Sequence, residues 1–313
     1  MGTRTGLDAQ LGIAEESTVG TAVTVTRFYP ITSESLKADY ARIESASLRA
    51  GRVFMDPDDS ASGEISVSGD IDMPLRIRDF GLWLKYCLGA VSTSGTGPYT
   101  HTFTPGDLFG KALTVQVGRP DSGGSVRAFT YAGVKVANFD IEAQVGSEAT
   151  MKVGLIGQSE STSTSLATAS YTASNTLFTF VHGAFTWGGS SLPLERVTYS
   201  GDNNLQSTRH RLGSATSTEQ RAAGHRAYTL TADADFEDLT VHGQLAAGST
   251  GTAVLTFTSG TNVLTITSKM RVDGEVPTVG GTDEVIQPLN LKAIGDTDAE
   301  ACTITLVNAD STP

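Results

Sequence analysis

The chain has 313 residues, enough for one large β domain or two domains of ordinary size. Its formal net charge of −12 disfavours tight association with a phosphate backbone. Only 18% of residues are charged, and glycine, serine and threonine separate most apolar positions, which is typical of many short strands joined by turns.

The N-terminal region lacks the apolar core of a signal peptide, and no run approaches the roughly 18 apolar residues that span a membrane. We therefore expect a protein made in a cytoplasm, with no membrane partner. Cys87 and Cys302 are far apart and lie in apolar contexts. They are interpreted as reduced core residues rather than as a disulfide or a metal pair.

The first ninety residues predict strands, loops and one helix. A polar arm at 12–21 precedes an arginine-bearing strand at 43–53 and an acidic turn at 55–60. Residues 64–72 alternate apolar and polar side chains, as in a strand with one buried face. Apolar residues at helical spacing follow, and Gly89 is placed as the C-terminal cap of a short helix. The candidate N-terminal caps of this helix are Asp72 and Asp79.

The stretch from Val134 to Leu155 predicts a long antiparallel hairpin, because two runs of alternating residues flank a short turn. The expected register pairs Val145 with Met151, Ala143 with Val153 and Ile141 with Leu155. The opposite face of this hairpin is polar and acidic on balance. It carries Asp140, Glu142, Gln144, Thr150 and Lys152.

After a polar connector at 157–175 the order of alternating strands, short helix and hairpin begins again. Residues 227–235 echo the strand at 64–72, and a second short helix is predicted to open at Asp235, with Asp238 in capping-box position, and to end at Gly248. A closing hairpin is expected to pair Leu291 with Ile304. Its other pairs are Leu289 with Leu306 and Ala293 with Cys302, and its polar face carries Asn290, Lys292, Thr303 and Thr305. The sequence thus predicts an internal duplication, with domains at 1–160 and 161–313.

No catalytic, cofactor or metal site emerges from the sequence. Ser122 lies in a segment like the nucleophile loop of serine proteases, but no histidine has a matching context, and a Gly-Gly turn explains the segment. Asp140 and Glu142 are close enough to imitate a glycosidase pair, yet the aromatic strip that binds sugars is missing. The histidines show no metal-ligand spacing. We expect a protein that is not an enzyme.

A basic cluster lies between residues 209 and 226, within a loop rich in serine and threonine. A nucleic-acid contact is one interpretation, but no aromatic residues are interleaved for base stacking. Contact with an acidic patch on a neighbouring subunit fits better in so acidic a protein. The cluster includes Arg209, Arg211, Arg221 and Arg226.

The opening segment at 6–21 resembles the start of the major tail tube proteins of long, non-contractile-tailed phages. The later order is similar to that family too: an arginine-bearing strand, a strand running into a short helix that ends at Leu88 and Gly89, a long polar-faced hairpin, and a closing segment at 308–310. This resemblance extends over nearly the whole chain.

The resemblance implies a mainly β protein, a β-sandwich with short flanking helices. Its subunits would assemble into stacked rings whose long hairpins form an intersubunit β-barrel around a DNA channel. A doubled chain implies three subunits with pseudo-six-fold symmetry, with six single-domain subunits as the alternative. The implied partners are other copies of the chain, the tape-measure, tail terminator and distal tail proteins, and DNA in transient passage. The implied location is the virion tail, assembled in the host cytoplasm.

With this resemblance, the polar hairpin faces are predicted to line the channel, where a net-negative wall lets DNA slide without adhesion. The predicted lining residues are Asp140, Glu142, Gln144, Thr150, Lys152, Asn290, Lys292, Thr303 and Thr305. The N-terminal arm and the basic loop are predicted to contact other subunits. The predicted contact residues are Leu7, Leu11, Ile13, Arg209, Arg211, Arg221 and Arg226.

Two other functions remain open from the sequence. A β-sandwich binding module, of the virion decoration or adhesin type, shares this composition but needs an exposed aromatic or apolar patch. A hydrolase built on Ser122 or on the pair Asp140 and Glu142 would lose its activity when those residues are replaced.

Overall fold

The computed structural model describes residues 5–207, 209–236, 239–274, 276–279 and 285–313. These residues form a mainly β protein with few helices. In chain order the strands are β1 (Gln10–Glu15), β2 (Arg27–Tyr29), β3 (Ser33–Glu34), β4 (Lys37–Glu44), β5 (Ser60–Pro74), β6 (Gly89–Ser94), β7 (Tyr99–Pro105), β8 (Leu113–Pro120), β9 (Val126–Gln144), β10 (Thr150–Gly157), β11 (Ser159–Ser161), β12 (Gly183–Trp187), β13 (Ser190–Ser191), β14 (Leu194–Asp202), β15 (Ala227–Asp235), β16 (Thr250–Ser259), β17 (Asn262–Val272), β18 (Ile286–Ala293) and β19 (Thr303–Asn308).

The α-helices are short, and none in the described ranges has the length and apolar content needed to cross a membrane. They are α1 (Gly81–Leu88), α2 (Thr240–Ala247) and α3 (Asp298–Ala301), and single 3-10 turns lie at Gly6–Asp8, Pro57–Asp59 and Phe180–His182.

Seven antiparallel strands form the central sheet, in the order β4, β5, β10, β9, β14, β15 and β18. The sheet crosses from the first half of the chain to the second where β9 pairs with β14, with Ile141 opposite Tyr199. The two halves are therefore joined by a backbone ladder and not only by side-chain packing. We call this seven-strand sheet the wall.

A second sheet packs on the first half of the wall and gives that half its sandwich form. Its order is β2, β1, β8, β9 and β11. Strand β9 belongs to both sheets because it is 19 residues long and has Gly133 in the left-handed region, with φ of 65°. The N–H of Gly133 donates to the buried carboxylate of Glu16 at 2.8 Å.

A third sheet contains strands of both halves, β6, β7, β19, β17, β16 and β12, which pair in that order. Strand β19 lies between β7 of the first half and β17 of the second. The predicted closing hairpin is therefore wrong: Ile304 pairs with Ile266 and Phe103, whereas Leu291 pairs with Leu230 and Val272. Both strands were identified from alternation, but alternation does not specify a partner.

The predicted hairpin at 134–155 is confirmed as β9 and β10, with a different register. Met151 lies opposite Ile141, and Val153 lies opposite Phe139. The pairing differs from the predicted one by four residues because the hairpin turns about Gly146, two residues before the predicted centre at Glu148. An even shift keeps each side chain on its predicted face, so the polar and apolar faces are as expected.

Helix α1 lies in the core, and Trp83, Leu84, Cys87 and Leu88 are fully buried. Gly89 has φ of 103° and ends the helix as predicted. The predicted N-terminal caps are wrong, because Phe80 occupies the cap position without a side-chain hydrogen bond. Full burial of each large apolar side chain contributes about 1.5–3 kcal/mol, so packing rather than capping holds this helix.

None of the residues of helix α2 is fully buried, and Val241 and Leu245 are its partly buried contacts with the core. Gly248 ends it with φ of 61°, as predicted. The capping role predicted for Asp238 lies outside the described residues. Both cysteines are free and buried, as the apolar contexts of their sequence positions indicate.

Candidate functional site

One side of the wall is polar along its whole width. Residues paired directly across an antiparallel ladder point to the same side, so the register identifies this side: Asp140 lies opposite Lys152 and Ser200, and Ser200 lies opposite Thr229, which lies opposite Lys292. The residues that make up the polar face are all at least partly exposed, whereas Ile156, which lies opposite Ser68 on the same side, is buried. The polar face comprises Lys37, Asp39, Ser66, Ser68, Asp70, Asp72, Asn138, Asp140, Glu142, Gln144, Thr150, Lys152, Arg196, Thr198, Ser200, Asp202, Thr229, Thr231, Asp233, Asp235, Asn290 and Lys292.

The other side of the wall is the hydrophobic core. Phe139 and Tyr199 are fully buried, and their ring centroids are 6.4 Å apart. Leu230 and Leu291 continue this core across β15 and β18 with 1% and 2% exposure. A one-residue slip of any strand would place such residues in solvent. The core therefore fixes which side chains the polar face presents.

The polar face is acidic but partly neutralised by its own cations. It carries eight carboxylates and four basic side chains, an excess of four negative charges. Lys152 Nζ lies 3.0 Å from Asp70 Oδ2, and Arg196 Nη2 lies 2.7 Å from Glu142 Oε1. The hydrogen bond to Asp70 and then its charge raise the pKa of Lys152, with smaller contributions from the charges of Asp72 and Asp140. The cations are thus distributed among the acids, and no separate basic patch forms on this face.

The structure brings together seven of the nine predicted lining residues: Asp140, Glu142, Gln144, Thr150, Lys152, Asn290 and Lys292. Thr303 and Thr305 lie elsewhere, because β19 pairs with β17 and β7 rather than with β18. We therefore remove these two threonines from the polar face.

The sequence prediction missed the contribution of β5, β14 and β15 to this face. Asp70 and Asp72 lie on β5, and Asp233 and Asp235 lie on β15. Each pair forms an Asp-x-Asp motif at the end of an alternating strand, and this repeated motif is the signal that could have identified them.

A long hairpin extends beyond the edge of the wall. We call residues 41–62, the ends of β4 and β5 with the loop between them, the arm. Its tip is exposed and apolar, with Leu48, Val53 and Phe54 at 101%, 94% and 85% exposure. The strand predicted at 43–53 is wrong, since β4 ends at Glu44. Arg52 at the tip instead pairs with Asp56 at 3.0 Å.

The basic loop is attached to its own chain. Its Glu219 Oε1 lies 2.6 Å from Nζ of Lys135, whose side chain is 2% exposed. Burial lowers the pKa of Lys135, and the hydrogen bond and charge of Glu219 oppose this shift. Arg226 donates to the carbonyls of Leu88 and Gly106 at 2.7 and 2.5 Å. Arg226 thus contacts its own chain, and the intersubunit role predicted for it stays a prediction.

The N-terminal segment also packs against its own chain. Leu11 and Ile13 lie on β1 with no exposed surface. Because their side chains cannot contact another subunit, we remove them from the predicted contacts. The sequence did not identify β1 as a buried strand, because small residues such as Gly12 interrupt the alternation of apolar and polar side chains. Leu7 is 85% exposed and remains a candidate contact.

The segment that resembles a protease loop is a turn between β8 and β9. Asp121 Oδ1 accepts a hydrogen bond from the N–H of Ser125 at 2.9 Å, and Asp121 Oδ2 lies 2.7 Å from Nε of Arg127. These bonds use the aspartate to close the turn. In the described parts of the chain, no group of three or more histidine, cysteine, aspartate or glutamate residues is placed to hold a metal ion.

The family described as phage tail tube protein has a model that matches residues 6–293. A search among curated proteins finds no match. The match to the family covers the wall, the arm, the basic loop and helices α1 and α2. The chain belongs to the phage tail tube protein family and is a structural component of the phage tail.

Proposed function

We propose that the chain assembles into stacked rings that form the tail tube, with the polar face lining the channel through which DNA passes. The observation that carries this proposal is the seven-strand wall, which is polar and net negative on one side and buried on the other. An anionic, hydrated bore repels phosphate, so DNA slides with little adhesion.

The open edge of the wall supports ring formation. Among the described residues, strand β4 pairs with β5 on one side and with no strand on the other, and most of its side chains are exposed. A free edge is a template for pairing with another chain. Closing the walls of several copies into one barrel covers these edges, because a barrel has none.

The order of elements supports two equivalent domains, which we propose lie at 1–160 and 161–313. Strand β5 leads into α1 and the β6–β7 hairpin, and strand β15 leads into α2 and the β16–β17 hairpin. Both helices end at a left-handed glycine, Gly89 or Gly248. We therefore favour three chains per ring with pseudo-six-fold symmetry over six chains.

In this proposal the chain is not an enzyme and takes no cofactor. It is made in the host cytoplasm and incorporated into the virion, where its partners are other copies of itself. At the ends of the tube the partners are the tape-measure, terminator and distal tail proteins. Leu7, Arg211 and Arg221 remain proposed contacts between subunits, and Arg209 contributes its charge beside them.

A second candidate function is a binding module, which the exposed apolar tip of the arm favours. Val53 and Phe54 could form part of a recognition patch. Binding to glycans or cells without polymerisation would support this alternative over tube formation.

Negative-stain microscopy of the purified full chain over a range of concentrations tests the proposal. We expect rings that stack into tubes as the concentration rises. Monomers that persist at the highest concentration would refute it.

A further inference from the structure

Four arginines of the basic loop have no carboxylate partner within the described ranges. Arg209 and Arg226 donate to backbone carbonyls, and Arg211 donates to the carbonyl of the residue before it. The guanidinium of Arg221 lies 4.8 Å from the ring centroid of Phe109. In a chain of net charge −12, a cluster of arginines without carboxylate partners indicates that another surface supplies their counter-charge.

A cavity of about 350 Å³ opens beside these arginines, between residues 107–109 and the loop. Its lining includes Phe109, which is 53% exposed, together with Arg221 and Gln220. Gln220 is 1% exposed, and neither its amide oxygen nor its amide nitrogen has a hydrogen-bond partner among the described residues. Such groups are rare in proteins. The one carboxylate in the lining, Asp107, accepts the N–H of Phe109 at 2.8 Å.

The tip of the arm has complementary properties. Asp58 and Asp59 form no ion pair within the described ranges, unlike Asp56, which is held by two arginines of the arm. The apolar side chains of Val53 and Phe54 are almost fully exposed next to them. The tip also carries Arg49 and Arg52, which share the carboxylate of Asp56. It thus offers two carboxylates without cationic partners beside exposed apolar groups, and a cationic cavity with an aromatic wall binds groups of both kinds.

The tip does not fill the cavity of its own chain, since no residue of the arm lines it. The loop meets the base of the arm, where Thr216 bridges Ile65. From that base, β5 runs five residues back to Ser60, roughly 17 Å at the rise of a strand. The tip of the arm therefore lies away from the point where the basic loop of the same chain meets the arm.

We propose that the cavity between Phe109 and Arg221 receives the tip of the arm from a second copy of the chain. The contact joins two different surfaces, so each copy donates one tip and receives another. Head-to-tail contacts of this kind propagate in one direction. This inference rests on the proposed self-assembly and identifies two surfaces that drive it.

Charge reversal tests the inference in the full chain. Asp58→Lys with Asp59→Lys, and separately Arg211→Glu with Arg221→Glu, should each raise the concentration needed for polymerisation at least about tenfold, because like charges then face each other. Combining all four substitutions should restore assembly to within about threefold of the wild type. The matched control is Glu195→Lys, an exposed carboxylate near the end of β14 that lies farthest from the basic loop, which should assemble normally.

A disulfide test reads the contact directly. Mixing a chain carrying Asp58→Cys with a chain carrying Arg221→Cys, in the lining of the cavity, under oxidation should give a crosslinked pair on a denaturing gel, since both native cysteines are buried. Either variant alone should give much less crosslinked product.

The outcomes separate this inference from the proposed function. Wild-type tubes with unchanged assembly of both reversal variants, or failure of the combined variant to recover, would overturn the inference and leave tube formation standing. A wild-type chain that never polymerises would overturn both. Thermal unfolding of each variant distinguishes lost assembly from lost folding.

Discussion

The buried Lys135 and the partly exposed Glu219 form an ion pair, 2.6 Å between Nζ and Oε1, that attaches the basic loop to the strand shared by both sheets. Lys135 also donates to the carbonyls of Leu108 and Gln220 at 2.8 and 3.2 Å. Three acceptors around one ammonium compensate for its removal from water. The pair therefore sets the position of the loop on which the proposed cavity depends.

Glu219→Gln should lower the free energy of unfolding by about 3 kcal/mol, because it leaves a buried ammonium without its counter-charge. Urea unfolding measures the change. Arg211→Gln, in the same loop but exposed, is the matched control and should change stability by less than about 0.5 kcal/mol. Equal effects of the two substitutions would contradict the role given to the pair.

Two glycines in equivalent positions should respond differently to alanine. Gly89 has φ of 103°, and an added Cβ would lie 2.5 Å from the carbonyl oxygen of Gly106. Gly248 has φ of 61° and nothing within 4 Å of an added Cβ. Gly89→Ala should cost about 3 kcal/mol or more, and Gly248→Ala about 1 kcal/mol, the cost of the left-handed conformation alone. Thermal unfolding of both variants checks the difference.

The cysteines should be unreactive in the folded protein. Burial raises the pKa of Cys302 to about 12 and raises that of Cys87, so at pH 8 only about one thiol in ten thousand of Cys302 is ionised. Labelling by a thiol reagent should follow unfolding. Rapid labelling of native protein would contradict the buried positions.

The raised pKa values of the two cysteines make the stability of the fold depend on pH. A thiol whose pKa is raised on folding contributes stability that is fully present below its unfolded pKa of about 8.5. This contribution is lost as the pH rises towards the folded value. Stability should therefore fall above about pH 9, and replacing both cysteines with alanine should weaken that part of the dependence.

Much of the first half could be predicted from its sequence, because alternation is strong there. The faces of β9 and β10 were correct even though the register was not, since both registers place Ile141 and Val153 inside. The glycines that end α1 and α2 were also predictable, because few residues other than glycine adopt a left-handed cap.

Pairing between distant strands could not be predicted. Nothing local indicates that β9 pairs with β14 or that β19 lies between β7 and β17. These partners are chosen by the packing of the whole core. The intrachain role of Arg226 was missed for the same reason, since the carbonyls it binds lie more than 100 residues away.

Asp140→Lys with Glu142→Lys should leave the fold intact, because both positions lie on the partly exposed polar face. Loss of the Arg196 pair should cost no more than about 1 kcal/mol. DNA ejection from phage carrying both changes should slow, because a basic bore attracts phosphate. Phage with Asp298→Lys, of the same charge type but off the polar face, should eject normally. Normal ejection by the double variant would argue against a lining role.

The most direct measurement is a reconstruction of the assembled tube in cross-section. The account predicts a ring of three chains whose walls close into one barrel, with Asp140, Glu142 and Asp233 facing the bore. A tube in which these carboxylates face outward or are buried between subunits would contradict it.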